Sequence, residues 1–168
     1  MNKYEKNISV IICTRNRADS ILSTIQSILD NHSKGIEIIV IDQSDNNNTK
    51  EALQPYFKQI KYFKSNTIGL SKARNIGVRN SSSNYIIMTD DDCVVAKNFL
   101  EAFRKAFSEF PAAKLVFGSV FPCEHDPLKG FVPSYILNKP FISRNIFEKY
   151  KTEGIGACMG FHKELWEG

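Results

Sequence analysis

No stretch of this 168-residue chain approaches the roughly 18 consecutive apolar residues that a membrane-spanning helix needs. The opening MNKYEKN has no apolar core of the kind a secretory signal carries, so a cytoplasmic location is the expectation. Cysteine is sparse and scattered. Cys13, Cys93, Cys123 and Cys158 include no CxxC pair, which signals neither a zinc cluster nor a disulfide framework and leaves reduced thiols as the expected state. There is no run of five like charges. Lysine and arginine outnumber aspartate and glutamate by 22 to 18, and the resulting formal charge of +4 permits phosphate-bearing partners without calling for nucleic acid. Internal repeats and low-complexity tracts are missing too; the nearest, Asn46-Asn47-Asn48, reads as a polar loop. What remains is 42% hydrophobic and 24% charged, the balance of a globular protein. The length suits one compact domain that can bury a core without staples.

Two hydrophobic periods alternate along the chain. The run ISVIIC, Ile8 to Cys13, is short and β-branched, as expected of a strand covered on both faces. Ile21, Ile25, Ile28 and Leu29 then recur at helical spacing, with Asp19 or Ser20 as the expected cap and Gly35 as the stop. A second buried strand, IEIIVID, spans Ile36 to Asp42. After it come a short helix around Glu51 to Tyr56, a weaker strand IKYFKS, and a helix seeded at Gly69-Leu70-Ser71 whose thin packing face is Ala73, Ile76 and Gly77. The strand YIIMT runs into Asp90-Asp91-Asp92. Phe99, Leu100, Phe103, Phe107 and Phe110 form one apolar stripe on a helix expected from Ala96 to Phe110. KLVFGSVF reads as a strand, Cys123 to Glu153 as an irregular lid or binding loop, Gly154 to Phe161 as a glycine-rich strand or turn, and HKELWEG as the start of a helix. Such alternation predicts an α/β/α sandwich around a mostly parallel sheet, with the ligand site in the loops at the strand carboxyl ends. Three of those ends are CTRNR, DQSDNNN and DDDC.

The acidic triplet is the main chemical lead. Like charges about 4 Å apart repel by ~4 kcal/mol at an effective dielectric of about 20. A divalent cation removes that cost, and hard carboxylate oxygens select Mg²⁺ or Mn²⁺. Two enzyme classes use such a strand end. Asp90 and Asp92 fit the DxD of haloacid-dehalogenase-like phosphatases, with Asp90 as nucleophile; alternatively the carboxylates hold a metal that bridges a nucleotide-sugar diphosphate. Flanking residues favour the second. Thr14, Arg15, Asn16 and Arg17 supply hydroxyl, amide and guanidinium donors, Asp42 can accept from a ribose hydroxyl or a base N–H, and Gly69 to Gly77 places backbone amides and Arg74 at a helix start.

In this order the segments VIICTRNR, IIVIDQSD, GLSKARNIG, YIIMTDDD and GIGACMGFHKELWE resemble the large family of inverting, nucleotide-sugar-dependent glycosyltransferases with the GT-A fold (family 2-like), over nearly the whole chain. The resemblance implies a metal-dependent transfer of a sugar from a nucleoside diphosphate to an acceptor hydroxyl. By position it makes Thr14, Arg15, Asp42, Gln43 and Arg74 nucleotide contacts, Asp90 and Asp91 neighbours of ribose and diphosphate, and Asp92, with Asp90, the holder of Mg²⁺ or Mn²⁺. Arg15 stands where the family often has a stacking Tyr, and a guanidinium plane also stacks on a base. Gln43 replaces an Asp that often reads uracil, and its amide oxygen can accept a ring N–H. A UDP-sugar is the expected donor, with dTDP- and GDP-sugars as alternatives.

The resemblance further implies a carbohydrate or lipid-linked acceptor, polysaccharide biosynthesis at the bacterial cell envelope and peripheral association with the inner face of the membrane. One domain over 1–168 is expected, with a nucleotide-binding part at 1–121 and an acceptor-side part at 122–168. The family's general base belongs to a downstream acidic motif, expected beyond Gly168 in a longer protein. Glu164 and Glu167 are expected on a solvated helix face, His162 at the surface and Trp166 in packing. A nucleotide-binding module without turnover is the remaining alternative.

Overall fold

The computed structural model describes residues 7–124, 126, 128, 130–145, 147, 148 and 153–167. The elements run β1 (Ile8–Thr14), α1 (Ala18–Leu29), β2 (Ile36–Asp42), α2 (Asn48–Leu53) with a 3-10 turn at Gln54–Tyr56, β3 (Ile60–Lys64), α3 (Leu70–Arg79), β4 (Tyr85–Asp90), α4 (Phe99–Glu109), β5 (Leu115–Phe117), β6 (Met159–His162) and α5 (Glu164–Glu167). They build one six-stranded sheet in the order β3-β2-β1-β4-β6-β5. β1 to β4 are parallel, and β6 runs antiparallel to both β4 and β5.

The strands are apolar on both faces because each face has its own helices. Strand side chains alternate sides, so Ile8, Val10 and Ile12 join Ile38, Val40 and Ile87 under α1 and α4, where Ile21, Ile25, Ile28, Phe99, Leu100, Phe103 and Phe107 close the layer. Ile11, Ile39, Ile41, Ile86 and Met88 face the other way, onto Ala73 and Val78 of α3 and Phe161. Gly77 lets α3 lie directly on β1: a Cβ there would stand 2.4 Å from Ile11 Cγ2.

The topology also places the site. β2 and β3 build outward on one side of β1, and the chain then crosses back to set β4 on the other side. The strand order therefore reverses at β1, and in open α/β sheets ligands bind outside the carboxyl ends at such a reversal.

Several local expectations are corrected. α1 is capped by neither Asp19 nor Ser20: it begins at Ala18, with Arg17 in the cap position and the Arg17 carbonyl accepting from Ile21 N–H at 3.3 Å. The Arg17 guanidinium, which carries donors only and cannot accept from helix N–H groups, reaches across to the carboxylates after β4. α4 starts only at Phe99, and Phe110, past its end, is exposed rather than part of the buried stripe. β5 is three residues long, since only Leu115 to Phe117 find a partner, on β6; Val120 instead bridges to Tyr135. His162 is half-buried, its ring edge-on to Tyr85 at 4.9 Å, so it is not a plain surface residue. Trp166 packs as expected against the Phe161 cluster and donates from Nε1 to Asn75 Oδ1 at 3.0 Å. Glu164 is exposed and paired with Lys114, whereas the side chain of Glu167 lies outside the described residues. Among the described residues no helix is long and apolar enough to cross a membrane.

Candidate functional site

Register brings the predicted residues together. Thr14 at the end of β1 is opposite Asp42 at the end of β2, and Cys13 is opposite Asp90 at the end of β4. Three polar loops therefore leave the sheet side by side.

The β1 and β2 ends are tied to each other. Asn16 adopts φ 57°, a left-handed conformation that asparagine tolerates better than most residues. That turn aims its backbone N–H at Ser44 Oγ (2.8 Å), while its side chain donates to Asp45 Oδ2 (2.8 Å) and accepts from Asp45 N–H (2.9 Å). Arg15 is drawn into the same knot, pairing with Asp45 at 3.2 Å. The Asn16 hydrogen bond first, and then the Arg15 charge, hold Asp45 below the usual carboxylate range.

Asp42 is turned inward, with its side chain fully covered. Its Oδ1 accepts from Ser44 N–H at 2.7 Å, and its Oδ2 from Tyr62 Oη at 2.6 Å and Lys64 Nζ at 3.2 Å. Burial pushes this carboxyl upward, but the bonds from Ser44, Tyr62 and Lys64 outweigh it and hold the group below its ordinary value. Burial and the neighbouring carboxylate raise Tyr62 in turn. Gln43 braces β2 against α3: its amide donates to the carbonyls of Thr67 (2.5 Å) and Gly69 (3.3 Å), and its Oε1 accepts from Gly69 N–H at 3.3 Å. Thr14 Oγ1 is buried and finds no hydrogen-bond partner among the described residues.

At the β4 end the acidic triplet diverges. Asp90 pairs with Arg74 (Nη2 to Oδ1, 3.3 Å). Burial raises its carboxyl, the Arg74 charge lowers it, and Asp92 and Asp91 raise it further. Asp91 is 5% exposed, and Asp92 presents 54% of its side chain to solvent. Both are bound by a single nitrogen, Arg17 Nη1, at 3.0 Å from Asp91 Oδ1 and 2.9 Å from Asp92 Oδ2. Asp91 foremost, and then Asp92, raise the guanidinium's affinity for its proton. Repulsion within the triplet is thus already relieved by two arginines, Arg17 from the loop after β1 and Arg74 from α3, so charge balance alone does not demand a metal.

Arg74 is also shaped by the distant chain. Gly156 covers it, its carbonyl 3.5 Å from Nη2, and a Cβ at Gly156 would stand 2.6 Å from that nitrogen. Cys13 lies beneath the same cluster, and burial pushes its thiol up to about 12. A cavity of about 420 Å³ opens beside the strand ends, lined by Asn16, Asp19, Asn46, Thr49 and Glu51 among others; Thr14, Asp42 and Asp92 do not line it.

The donor set fits a divalent cation in one way only. Among the described residues no three His, Cys, Asp or Glu side chains converge on a ready-made metal cage. Asp92 offers a half-exposed carboxylate whose Oδ1 is not held by Arg17, with Asp90 two residues away. One or two carboxylates completed by substrate phosphates is a common setting for Mg²⁺. The roles of Arg17, Tyr62 and Lys64 could not be read from spacing, because each acts across a gap of 20 or more residues. The signal that did exist for Arg17 was its place in CTRNR, one loop from DDDC.

Residues 9–167 match the family described as "Glycosyl transferase family 2". An uncharacterized glycosyltransferase of Rickettsia conorii is 34% identical over 107 residues, which are 62% of this chain and 18% of that relative. The structure of Staphylococcus aureus TarS 1-349 in complex with UDP-GlcNAc superimposes with a TM-score of 0.78 at 18% identity, over 96% of this chain and 46% of that one. The mannosyltransferase PcManGT from Pyrobaculum calidifontis, in complex with GDP-Man and Mn²⁺, gives a TM-score of 0.66 at 17% identity, with the same coverage of 96% and 46%. At such identity the likeness is one of fold, and the fold is GT-A. The chain spans less than half of each of these three proteins.

Proposed function

The chain belongs to glycosyl transferase family 2, and from that premise we propose that it transfers a sugar, with inversion, from a nucleoside diphosphate sugar to an acceptor hydroxyl. The observation that carries the reading is the alignment of Thr14 with Asp42 and of Cys13 with Asp90 across three parallel strand ends at the reversal of strand order. Polar loops at such a reversal are where an open α/β sheet takes a nucleotide.

Arg15 and Arg74 are the cationic contacts we assign to the nucleotide, and Asp90 and Asp91 its acidic neighbours. Thr14, Asp42 and Gln43 are assigned to the nucleoside. Asp42 and Gln43 already have partners, so they meet the nucleoside only as Tyr62, Lys64 or the Thr67–Gly69 turn gives way. Asp92, seconded by Asp90, would hold Mg²⁺ or Mn²⁺, which supplies charge neutralisation on the leaving diphosphate. Arg74 lies where a guanidinium can share that charge without moving the backbone, because Gly156 and Asp90 fix it from two sides. None of the described residues is assigned as general base: Glu164, the nearest candidate by position, is bound to Lys114.

The donor reading favours UDP-sugars, as TarS was solved with UDP-GlcNAc, while the GDP-Man complex of PcManGT keeps GDP-sugars in play. A carbohydrate or lipid-linked acceptor, work at the bacterial cell envelope and a cytoplasmic place at the inner membrane face complete the proposal. So does the division into a nucleotide-binding part at 1–121 and an acceptor-side part at 122–168. The phosphatase alternative would need Asp90 free as nucleophile, whereas Arg74 holds it. Calorimetric titration of UDP and GDP with and without Mn²⁺ tests the reading. Metal-assisted binding that Asp92→Ala abolishes is expected; equal, metal-independent binding by both proteins rejects the metal assignment, and no nucleotide binding at all rejects the site.

A further inference from the structure

Arg17 sits where a positive charge is disfavoured, at the start of α1, whose exposed amides already make that end positive. Its reward is the pair of carboxylates that one nitrogen bridges at 3.0 and 2.9 Å. The two carboxylates differ. Asp91 is nearly covered and needs a permanent cation beside it, since a buried charge without a partner is costly. Asp92 is half-exposed and can let go, because water takes over the solvation of a released carboxylate.

We propose that Arg17 is a resident counter-cation of the acidic turn, competing with divalent metal for Asp92, so that it lowers the turn's affinity for free metal and releases Asp92 while keeping Asp91 when metal arrives. The inference rests on the reading of Asp92 as metal holder given above. The competition is electrostatic: a divalent ion on Asp92 would lie within a few ångströms of the guanidinium that already binds the same carboxylate and is held nearby by Asp91. By linkage, whatever favours the Arg17–Asp92 contact must weaken metal at Asp92 by the same factor. A chain built this way stays poorly loaded with free cation and takes it up best when an anionic ligand draws the guanidinium off Asp92.

The test uses Mn²⁺ alone, without nucleotide, on the 168-residue chain. Arg17→Gln should bind Mn²⁺ at least about fivefold more tightly than the unaltered protein, and Arg17→Lys, which keeps the charge, should stay within about twofold of it. Asp92→Asn added to Arg17→Gln should erase the gain. A folded Arg17→Gln protein with unchanged or weaker Mn²⁺ affinity overturns the proposal, as does a lysine variant that gains as much as the glutamine one. Should Arg17→Gln fail to fold, ¹⁵N-arginine spectra of the unaltered chain decide. Saturating Mg²⁺ should shift the Arg17 Nη signals, and signals that stay in place overturn the proposal. Failure of the unaltered chain to bind UDP or GDP would reject the sugar-transfer reading while leaving this comparison intact. Equal Mn²⁺ affinities would reject only the competition.

Discussion

Asp42 is the most deeply covered carboxylate of the site. Three donors converge on it, and Asp42→Ala leaves the Tyr62 hydroxyl without its acceptor and the Lys64 ammonium with the Asn46 carbonyl alone. A loss of about 3 kcal/mol is expected, read by urea unfolding. The pH dependence has a definite sign. The folded value of Asp42 lies below that of the unfolded chain, about 3.9 for a free carboxyl, so its contribution is complete well above that pH and is lost as the pH falls on through the folded value. Unfolding midpoints of the unaltered protein should therefore drop below about pH 5 more steeply than those of Asp42→Asn. A parallel drop in the two proteins would show that Asp42 does not carry the acid sensitivity. At this scale the sequence was only half legible. The identity of the strand-end residues could be read, because a polar residue that ends an apolar run is conspicuous. Their orientation could not: Asp42 and Gln43 look inward because Tyr62, Lys64 and Gly69 lie 18 or more residues further along the chain.

Elements were more legible, because each is written in its own period. ISVIIC and IEIIVID are nearly continuous apolar runs rather than strict alternations, which demands cover on both faces, and Phe99, Phe103 and Phe107 can only be one stripe of a helix. Ends were less so: α1 begins at Ala18, ahead of Asp19 and Ser20 and without a side-chain cap, while Arg17 in the cap position pairs with carboxylates after β4. Packing between elements gives two tests. Phe103→Ala empties a buried site between Phe99 and Phe107 and should cost about 3–5 kcal/mol in chemical denaturation. Gly77→Ala sets a methyl 2.4 Å from Ile11 Cγ2 and should cost about 1–3 kcal/mol, a cost that should shrink in an Ile11→Ala background, which removes that carbon. Full additivity of the two substitutions would argue against direct contact between α3 and β1. Gly156→Ala is different in kind, because its methyl meets the flexible end of Arg74 rather than a packed side chain. Nucleotide affinity should fall severalfold with the melting temperature nearly kept, and the loss should vanish in an Arg74→Ala background.

At the scale of the molecule, the sheet is assembled out of chain order. Alternation of strand and helix foretold the parallel half, β1 to β4, but nothing in GIGACMGF announced that its strand would lie between β4 and β5 and run the other way. Pairing across such sequence distance leaves no local trace. That inserted strand has a consequence for how the protein comes to be whole. Until Met159 to His162 arrive, one edge of β4 offers open backbone to any other strand, β5 has no neighbour in the ladder, and Arg74 lacks the cover of Gly156. Closing of the sheet and covering of Arg74 thereby depend on the same short segment, and a ribosome-bound or clipped chain short of that strand is the form most exposed to self-association.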